Sequence, residues 1–431
     1  MFSRFKQIVD QHLIKAKKYP PTRWDAIIKV RGHNLTVLKV TAVTVTGNYA
    51  ANMADLYHLT IAIPFRENRL LLNRAYGDLQ VKLLRKAGKQ IIETINLKGV
   101  VISNRDDDME SPTMFTGESD DKAFALAQLE LMEESFWNLR AVQVGDIYRK
   151  MSPLDVARSI LSKTLPQRQL SHGEVLSVEY DKEEQTSYES IALSDDLEFS
   201  KVFDYLQDTY GIYSAGLGVY LQKDKWHLFR PYYLNKFEES DRKLVVYNLP
   251  KEQAGELDES LVFTENVRTI ITGGNTRAFD YQDHNALNSG TGYRAGSIRA
   301  LDGRMVTASP GKVAFTASEQ VVSQANPNSH DSGLTNAKVL PQRFLDHDKG
   351  VRSTLAKQRG QVVQVTWHQS VPGVVFPGMG VKFMYANEGQ IFTRYGVVLG
   401  EVYHAAMADG SMASDQMSTV SELTLWLSSD K

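Results

Sequence analysis

The chain has 431 residues, 42% apolar and 23% charged, with a formal net charge of −2. This is the composition of a soluble globular protein with more than one core, and the charge balance argues against a general nucleic-acid binder. There is no cysteine, so disulfides, thiolate zinc sites and cysteine nucleophiles are excluded together.

The N-terminal segment places Phe2, Phe5, Val9, Leu13 and Ala16 at helical spacing, with Lys6, Lys15, Lys17 and Lys18 opposite. It reads as a docking helix with a solvated face rather than a membrane or nucleic-acid arm. Pro20 and Pro21 end it. It has no continuous apolar core, so it is not a secretory signal. No stretch reaches the roughly 18 apolar residues of a membrane helix, and stable membrane insertion is not expected.

From Trp24 to Ile102 the pattern is β. "AIIKV", "NLTVLKVTAVTV", "LYHLTIAI", "LQVKLL" and "QIIETINLKGVVI" alternate and are rich in β-branched residues. Turn-forming segments separate them, as in a small antiparallel barrel or sandwich. The polar stretch 103–121 carries Asp106, Asp108 and Glu110 in alternation. Ser111 and Gly117 stand where a calcium loop needs glycine and glutamate, so it reads as a solvated acidic loop.

Two helices are predicted next. "DKAFALAQLELMEESFWNLR" puts Phe124, Leu131, Ser135 and Leu139 on one face. "MSPLDVARSILSKTLP" opens with a capping signal from Ser152, Pro153 and Asp155. A third helix holds Phe199, Phe203, Leu206 and Tyr210 on one face and stops at Gly211. Strands resume in "GLGVYLQ", "WHLFRPYYL" and "RKLVVYNLP". The aromatics Tyr210, Tyr213, Tyr220, Trp226, Phe229, Tyr232 and Tyr233 suit a β core or subunit contact better than a stacking platform for bases or sugars.

Residues 251–340 read as a loop-rich insertion with short strands. Gly290, Gly292 and Gly296 come close to a dinucleotide fingerprint, but the spacing is one residue too long and no strand–helix unit surrounds it. A short helix is expected in "DKGVRSTLAKQRG". Four strands follow, in "QVVQVTW", "VKFMYA", "IFTRYGVVLGEVYH" and "STVSELTLWLS". Pro377 and Gly378 fit the two corners of a type II turn. Gly396 and Gly400 mark bends in the long strand, and His404 at its end reads as structural. The ten histidines are scattered, and no motif of nucleophilic, phosphate-binding or zinc-dependent chemistry occurs. No catalytic, cofactor-binding or metal-binding residue is assigned.

The order of "MSPLDVARSIL", "FDYLQDTYGIYSAGLGVY…WHLFRPYYL", a long insertion, "STLAKQ", "PG" before a strand and a strand ending in "VYH" resembles the baseplate hub family of contractile phage tails. Type VI secretion spikes and phage-tail-like bacteriocins share that hub fold. The resemblance covers about 150–250 and 350–427, and 24–102 more loosely. It implies a mainly β chain with helical insertions, built on two small antiparallel tube-like barrels. The expected division is 1–102 for the N-terminal helix and first barrel, 103–195 for the acidic loop and a helical or mixed insertion, 196–250 for the first part of the second barrel, 251–340 for the insertion and 341–431 for the remaining barrel strands.

The resemblance further implies a homotrimeric ring that adapts a sixfold tail tube to a threefold central spike. The implied partners are the spike, the tube or its initiator ring, inner baseplate proteins and the tape-measure protein, with DNA passing through the lumen unbound. The implied location is the virion tail, after assembly in the host cytoplasm, and no cofactor or catalytic centre is implied. Lys431 follows the last strand, so a separate rather than a fused spike is expected. A cell-wall glycan hydrolase, a carbohydrate-binding module and the hub of a bacteriocin or type VI-like machine are the competing readings.

Overall fold

The computed structural model describes residues 21–65, 67, 71, 79–102, 124–164, 178–223, 225–249, 261–264, 266–273, 277–280, 294–299, 321–323, 337–342, 349, 353, 356–387, 390–407 and 417–428. The predicted N-terminal helix and the acidic loop at 103–121 lie outside these residues.

The first unit contains β1 (Thr22–Val30), β2 (His33–Leu35), β3 (Lys39–Asn48), β4 (Leu56–Pro64), β5 (Leu79–Ala87), β6 (Gln90–Ile102) and β7 (Phe124–Glu133). Its main strands run β3-β4-β7-β6-β5-β1, and every pairing is antiparallel. β1 returns beside β3, so the sheet wraps into a barrel. Ile28, Val43, Leu59, Ile61, Leu83, Leu129 and Leu131 fill it.

β7 corrects the sequence reading, which placed a helix over this stretch. "FALAQLELME" is made of good helix formers, but Ala125, Ala127, Leu129, Leu131 and Glu133 are buried in strict alternation. β4 and β6 offer unpaired backbone on both sides. Satisfying two ladders and filling one core overrides the modest helical propensity. The strand set of the first barrel thus extends past residue 102.

A middle unit follows: α1 (Glu134–Leu139), β8 (Asp146–Met151), α2 (Pro153–Thr164), β9 (Val178–Tyr180), β10 (Tyr188–Leu193), α3 (Phe199–Thr209), β11 (Gly218–Gln222) and β12 (Lys225–Phe229). Ser152 caps α2 as the sequence suggests. Its Oγ accepts from the Asp155 amide at 3.1 Å and donates to the Asp155 carboxylate at 2.7 Å. α3 buries Phe199, Phe203 and Leu206, and Tyr210 just past its end, while Gly211 takes φ +77°. These side chains share one core with Leu154, Val156, Ile160, Leu221, Trp226 and Leu228. Accordingly β11 and β12, expected in the second barrel, form a separate sheet with β9. Phe229 ends β12 just before Pro231, which has no amide for a continuing ladder.

The second barrel uses β13 (Lys243–Leu249), β15 (Val267–Gly273), β20 (Gly360–His368), β21 (Gly380–Asn387), β22 (Gln390–Met407) and β23 (Met417–Ser428). α4 (Lys236–Glu239) precedes it, and β14 (Leu261–Thr264) and β16 (Arg277–Asp280) flank β15 and β20. The order is β15-β13-β21-β22-β23-β20, with β15 and β20 adjacent. Trp367, Val381, Val397, Leu423 and Leu425 fill the core.

Two further expectations change here. β13 is parallel to both β15 and β21, so this barrel is mixed rather than wholly antiparallel. The region 251–340 also supplies a barrel strand, β15, with Ile270 and Ile271 buried. β17 (Arg294–Arg299), β18 (Val321–Ser323) and β19 (Ala337–Gln342) make a small separate sheet.

Candidate assembly interface

β22 joins the two barrels. Its first half pairs with β21, its second half pairs with β3, and β23 runs along most of it. Val397 and Val398 enter the second barrel's core, whereas Tyr403 and Ala405 enter the first. A register shift between Val398 and Gly400 marks the change. A bulge re-aims a strand in this way. At Gly396 an added Cβ would stand 1.7 Å from the Trp426 carbonyl oxygen, so only glycine fits.

A polar cluster is buried at this junction. Glu401 faces Gly47 across the β3–β22 ladder and accepts from Ser421 Oγ at 2.8 Å. Asp55 accepts from Tyr220 O–H at 2.7 Å. A Cβ on Gly47 would meet Asp55, Tyr49 and Tyr220 at about 3 Å, so the missing side chain makes room for them. Burial pushes Asp55 up to about 6, against a lowering hydrogen bond from Tyr220. Burial likewise pushes Glu401 up to about 7, with the Asp55 charge adding to it.

Around this cluster the three units touch. Arg85 of the first barrel donates to the Pro372 carbonyl of the second at 3.1 Å and pairs with Glu93 at 3.1 Å. Lys223 of the middle unit reaches Glu93 at 2.7 Å. Leu221 N–H donates to Met53 O at 2.7 Å.

Sequence reading missed these carboxylates, since Asp55 and Glu401 lie far apart in the chain and neither sits in a motif. Two carboxyls with raised pKa values can signal acid–base catalysis. Here both are below a tenth exposed, each holds a neutral donor, and neither lines a described cavity. Their setting is that of a buried joint between the barrels and the middle unit.

The apolar surface lies elsewhere. On β7, Phe124 and Leu126 point outward, Leu126 being 59% exposed. Ile27 and Leu38 flank the seam between β1 and β3, where they line a cleft of about 440 Å³ with Met407 and Met417. Ile91 and Ile92 are exposed at the β5–β6 hairpin. On the β21–β22 hairpin Ile391 and Phe392 are exposed, and Phe392 stacks on Tyr385 at 5.4 Å. Apolar side chains gathered on sheet surfaces and hairpin ends suit contacts with other protein chains.

The singled-out residues take structural places. His404 Nδ1 lies 2.8 Å from Thr44 Oγ1, an exposed cross-strand bond between the barrels. Met379 N–H donates to Phe376 O at 3.3 Å across Pro377 and Gly378, with Gly378 at φ +67°. This is the type II turn expected. Tyr210, Tyr213, Tyr220, Trp226 and Phe229 are buried, so they form no open stacking platform. Among the described residues no group of acidic or histidine side chains is arranged to hold a metal ion, and no helix is long and apolar enough to cross a membrane.

No protein-family model and no curated protein matches the sequence. Solved structures do match. A tail protein from Neisseria meningitidis MC58 aligns over 94% of this chain and 96% of its own, at 12% identity and a TM-score of 0.50. A 43 kDa tail protein of prophage MuSo2 from Shewanella oneidensis aligns over 93% and 98%, at 8% identity and a TM-score of 0.48. An Escherichia coli component of the type VI secretion system aligns over 94% and 77%, at 11% identity and a TM-score of 0.45. With two barrels joined through one strand and near end-to-end alignment, the chain shares the fold of the Neisseria tail protein.

Proposed function

We propose that this chain is a structural subunit of a tail baseplate, a hub that assembles as a homotrimeric ring between a sixfold tail tube and a threefold central spike. The observation that carries the reading is the pair of six-stranded barrels joined edge to edge through β22. Three such chains present six barrels, a count that suits both symmetries. The outward apolar groups on β7 and at the seam of the first barrel supply surface for a neighbour, and head-to-tail contacts close into a ring.

In this arrangement the first barrel of one chain packs beside the second barrel of the next. The helices of the middle unit and the 251–340 region lie outside the ring, toward the spike or inner baseplate proteins. The tube or its initiator ring and the tape-measure protein meet its faces. The lumen is polar and not strongly basic, because many phosphate contacts would hold passing DNA back. The subunit acts without catalysis, in the virion tail, after assembly in the host cytoplasm. The buried setting of Asp55 and Glu401 supports this over a glycan hydrolase, and the buried aromatics support it over a sugar-binding module.

The test is the mass of the purified chain by light scattering at micromolar concentration. A trimer is expected, with an interface above about 2,000 Å². A stable monomer, or turnover of peptidoglycan by the intact protein, overturns the reading.

A further inference from the structure

The corner between β3 and β4, residues 49–55, is where the middle unit meets the barrels. Ala54 and Met53 pack into the core of the middle unit, and Tyr49 belongs to the core of the second barrel. β11 meets this corner through a single backbone bridge among the described residues, Ala54 with Leu221. The Leu221 amide donates to Met53 O at 2.7 Å, so it reports this attachment. By contrast, β3 and β22 are held together by a ladder from Gly400 to Ala406. The slighter attachment is the one to the middle unit.

Two acids are enclosed behind that attachment, Asp55 at 6% exposed and Glu401 at 8%. They share the space left by the missing side chain of Gly47. A Cβ there would stand 2.8 Å from Asp55 Oδ1, and Glu401 faces the same glycine across the ladder. Each accepts from a hydroxyl of another segment, Asp55 from Tyr220 of β11 and Glu401 from Ser421 of β23. The Asp55–Tyr220 bond thus ties the first barrel to the middle unit.

Other titratable groups reach the pair from each surrounding element. The first barrel brings Tyr57 from β4, Arg85 from β5, Glu93 from β6 and Glu133 from β7. Tyr49 comes from the corner and Tyr403 from β22. The middle unit brings Tyr220 and Lys223. Lys223 stands at the tip of the β11–β12 hairpin with φ +52°, where its ammonium lies 2.7 Å from Glu93 and its amide 3.3 Å from Glu133. Burial holds both acids toward the neutral form, and the hydroxyl bonds and Lys223 work against it. Glu93 adds to the effect of burial at Asp55, and Asp55 adds to it at Glu401.

We propose that protons latch the middle unit to the barrels: the joint is closed while Asp55 and Glu401 are neutral, and β11 lifts off the 49–55 corner when they ionise, with all three units still folded. A buried carboxylate that ionises draws in water. Opening an attachment made by one backbone bridge admits that water at less cost than parting the β3–β22 ladder. Both acids sit well above the value of about 4 that a solvated carboxyl has. Closure is therefore favoured most in acid and is lost as pH rises through about 6 for Asp55 and about 7 for Glu401. Asp55 alone weakens closure about tenfold between pH 5 and pH 8.

The test is amide hydrogen exchange of the intact chain at pH 5 and pH 8, read as protection factors so that the intrinsic pH dependence of exchange is removed. The Leu221 amide should lose protection at least about tenfold at pH 8. It should then lie well below the amides of α3 and β23, as opening without unfolding requires. Asp55→Asn keeps an oxygen for Tyr220 O–H and does not ionise, so the loss at Leu221 should be clearly smaller in that variant. Should it fail to fold, Glu401→Gln takes its place and should likewise reduce the loss. A loss at Leu221 well below tenfold in the unaltered chain overturns the proposal. So does Leu221 exchange that matches α3 and β23 at both pH values, or an undiminished loss in the folded variant.

Discussion

The two barrels enclose cores of similar kind along different chain paths. The first draws all its strands from residues 22–133 and pairs them antiparallel. The second gathers β13 and β15 from one stretch and β20–β23 from another, far along the chain. Lys243 pairs with Gly380 only after the whole 251–340 region has intervened. Hairpins close locally at small entropic cost, whereas parallel pairs between distant segments require a long loop to be closed first. The first barrel is thus the more local structure. It is still not autonomous, since Tyr403 and Ala405 of β22 lie in its core and β3 has β22 for a neighbour.

That dependence can be broken most severely at the shared strand. Gly396→Val places a side chain into the Trp426 carbonyl, against backbone that cannot move without parting β22 from β23. A loss above about 4 kcal/mol is expected. Hydrogen exchange should show lost protection in both barrels. Gly99→Val, whose Cβ would meet the Glu130 carbonyl at 1.9 Å, should lower protection chiefly in β5, β6 and β7. Protection lost in one barrel alone for Gly396→Val would remove the case for a shared strand.

A smaller effect is expected at the turn leading into the second barrel. Gly378→Val suffers left-handed strain of about 1–2 kcal/mol, and its Cβ would also stand 2.3 Å from the Phe229 ring. The total denaturant shift should exceed the strain alone. In a Phe229→Ala background the penalty should fall back toward the strain. An equal penalty in both backgrounds would show that the middle unit does not press on this turn.

The smallest effect concerns the joint and depends on pH. The folded chain keeps protons on Asp55 and Glu401 that the unfolded chain releases above about pH 4. Stability from this source is full in acid and declines as pH rises through about 6 and 7, the folded values. Glu401→Gln preserves an acceptor for Ser421 and carries no charge. It should therefore stabilise the protein by about 2 kcal/mol more at pH 8 than at pH 5. Equal changes at the two pH values, or destabilisation at pH 8, would place Glu401 outside a buried joint.

The candidate surfaces were only partly legible. Alternation marked most strands, and Pro377–Gly378 marked its turn, because both signals are local. The Asp55–Glu401 cluster carried no such signal. Asp55, Tyr220 and Glu401 come from three separated segments, and nothing in their neighbours announces that they converge.

Local signals in the chain set the mainly β character, the capped start of α2 at Ser152 and the stop of α3 at Gly211. Each rests on backbone sterics or on periodic burial within a few residues. That 124–133 is a strand, that β11 and β12 leave the second barrel, and that β13 pairs in parallel follow from long-range packing. Those outcomes depend on which edges remain open once distant segments have packed. The free energy of filling an open ladder and a shared core exceeds the small local preference of a residue such as alanine or glutamate for a helix.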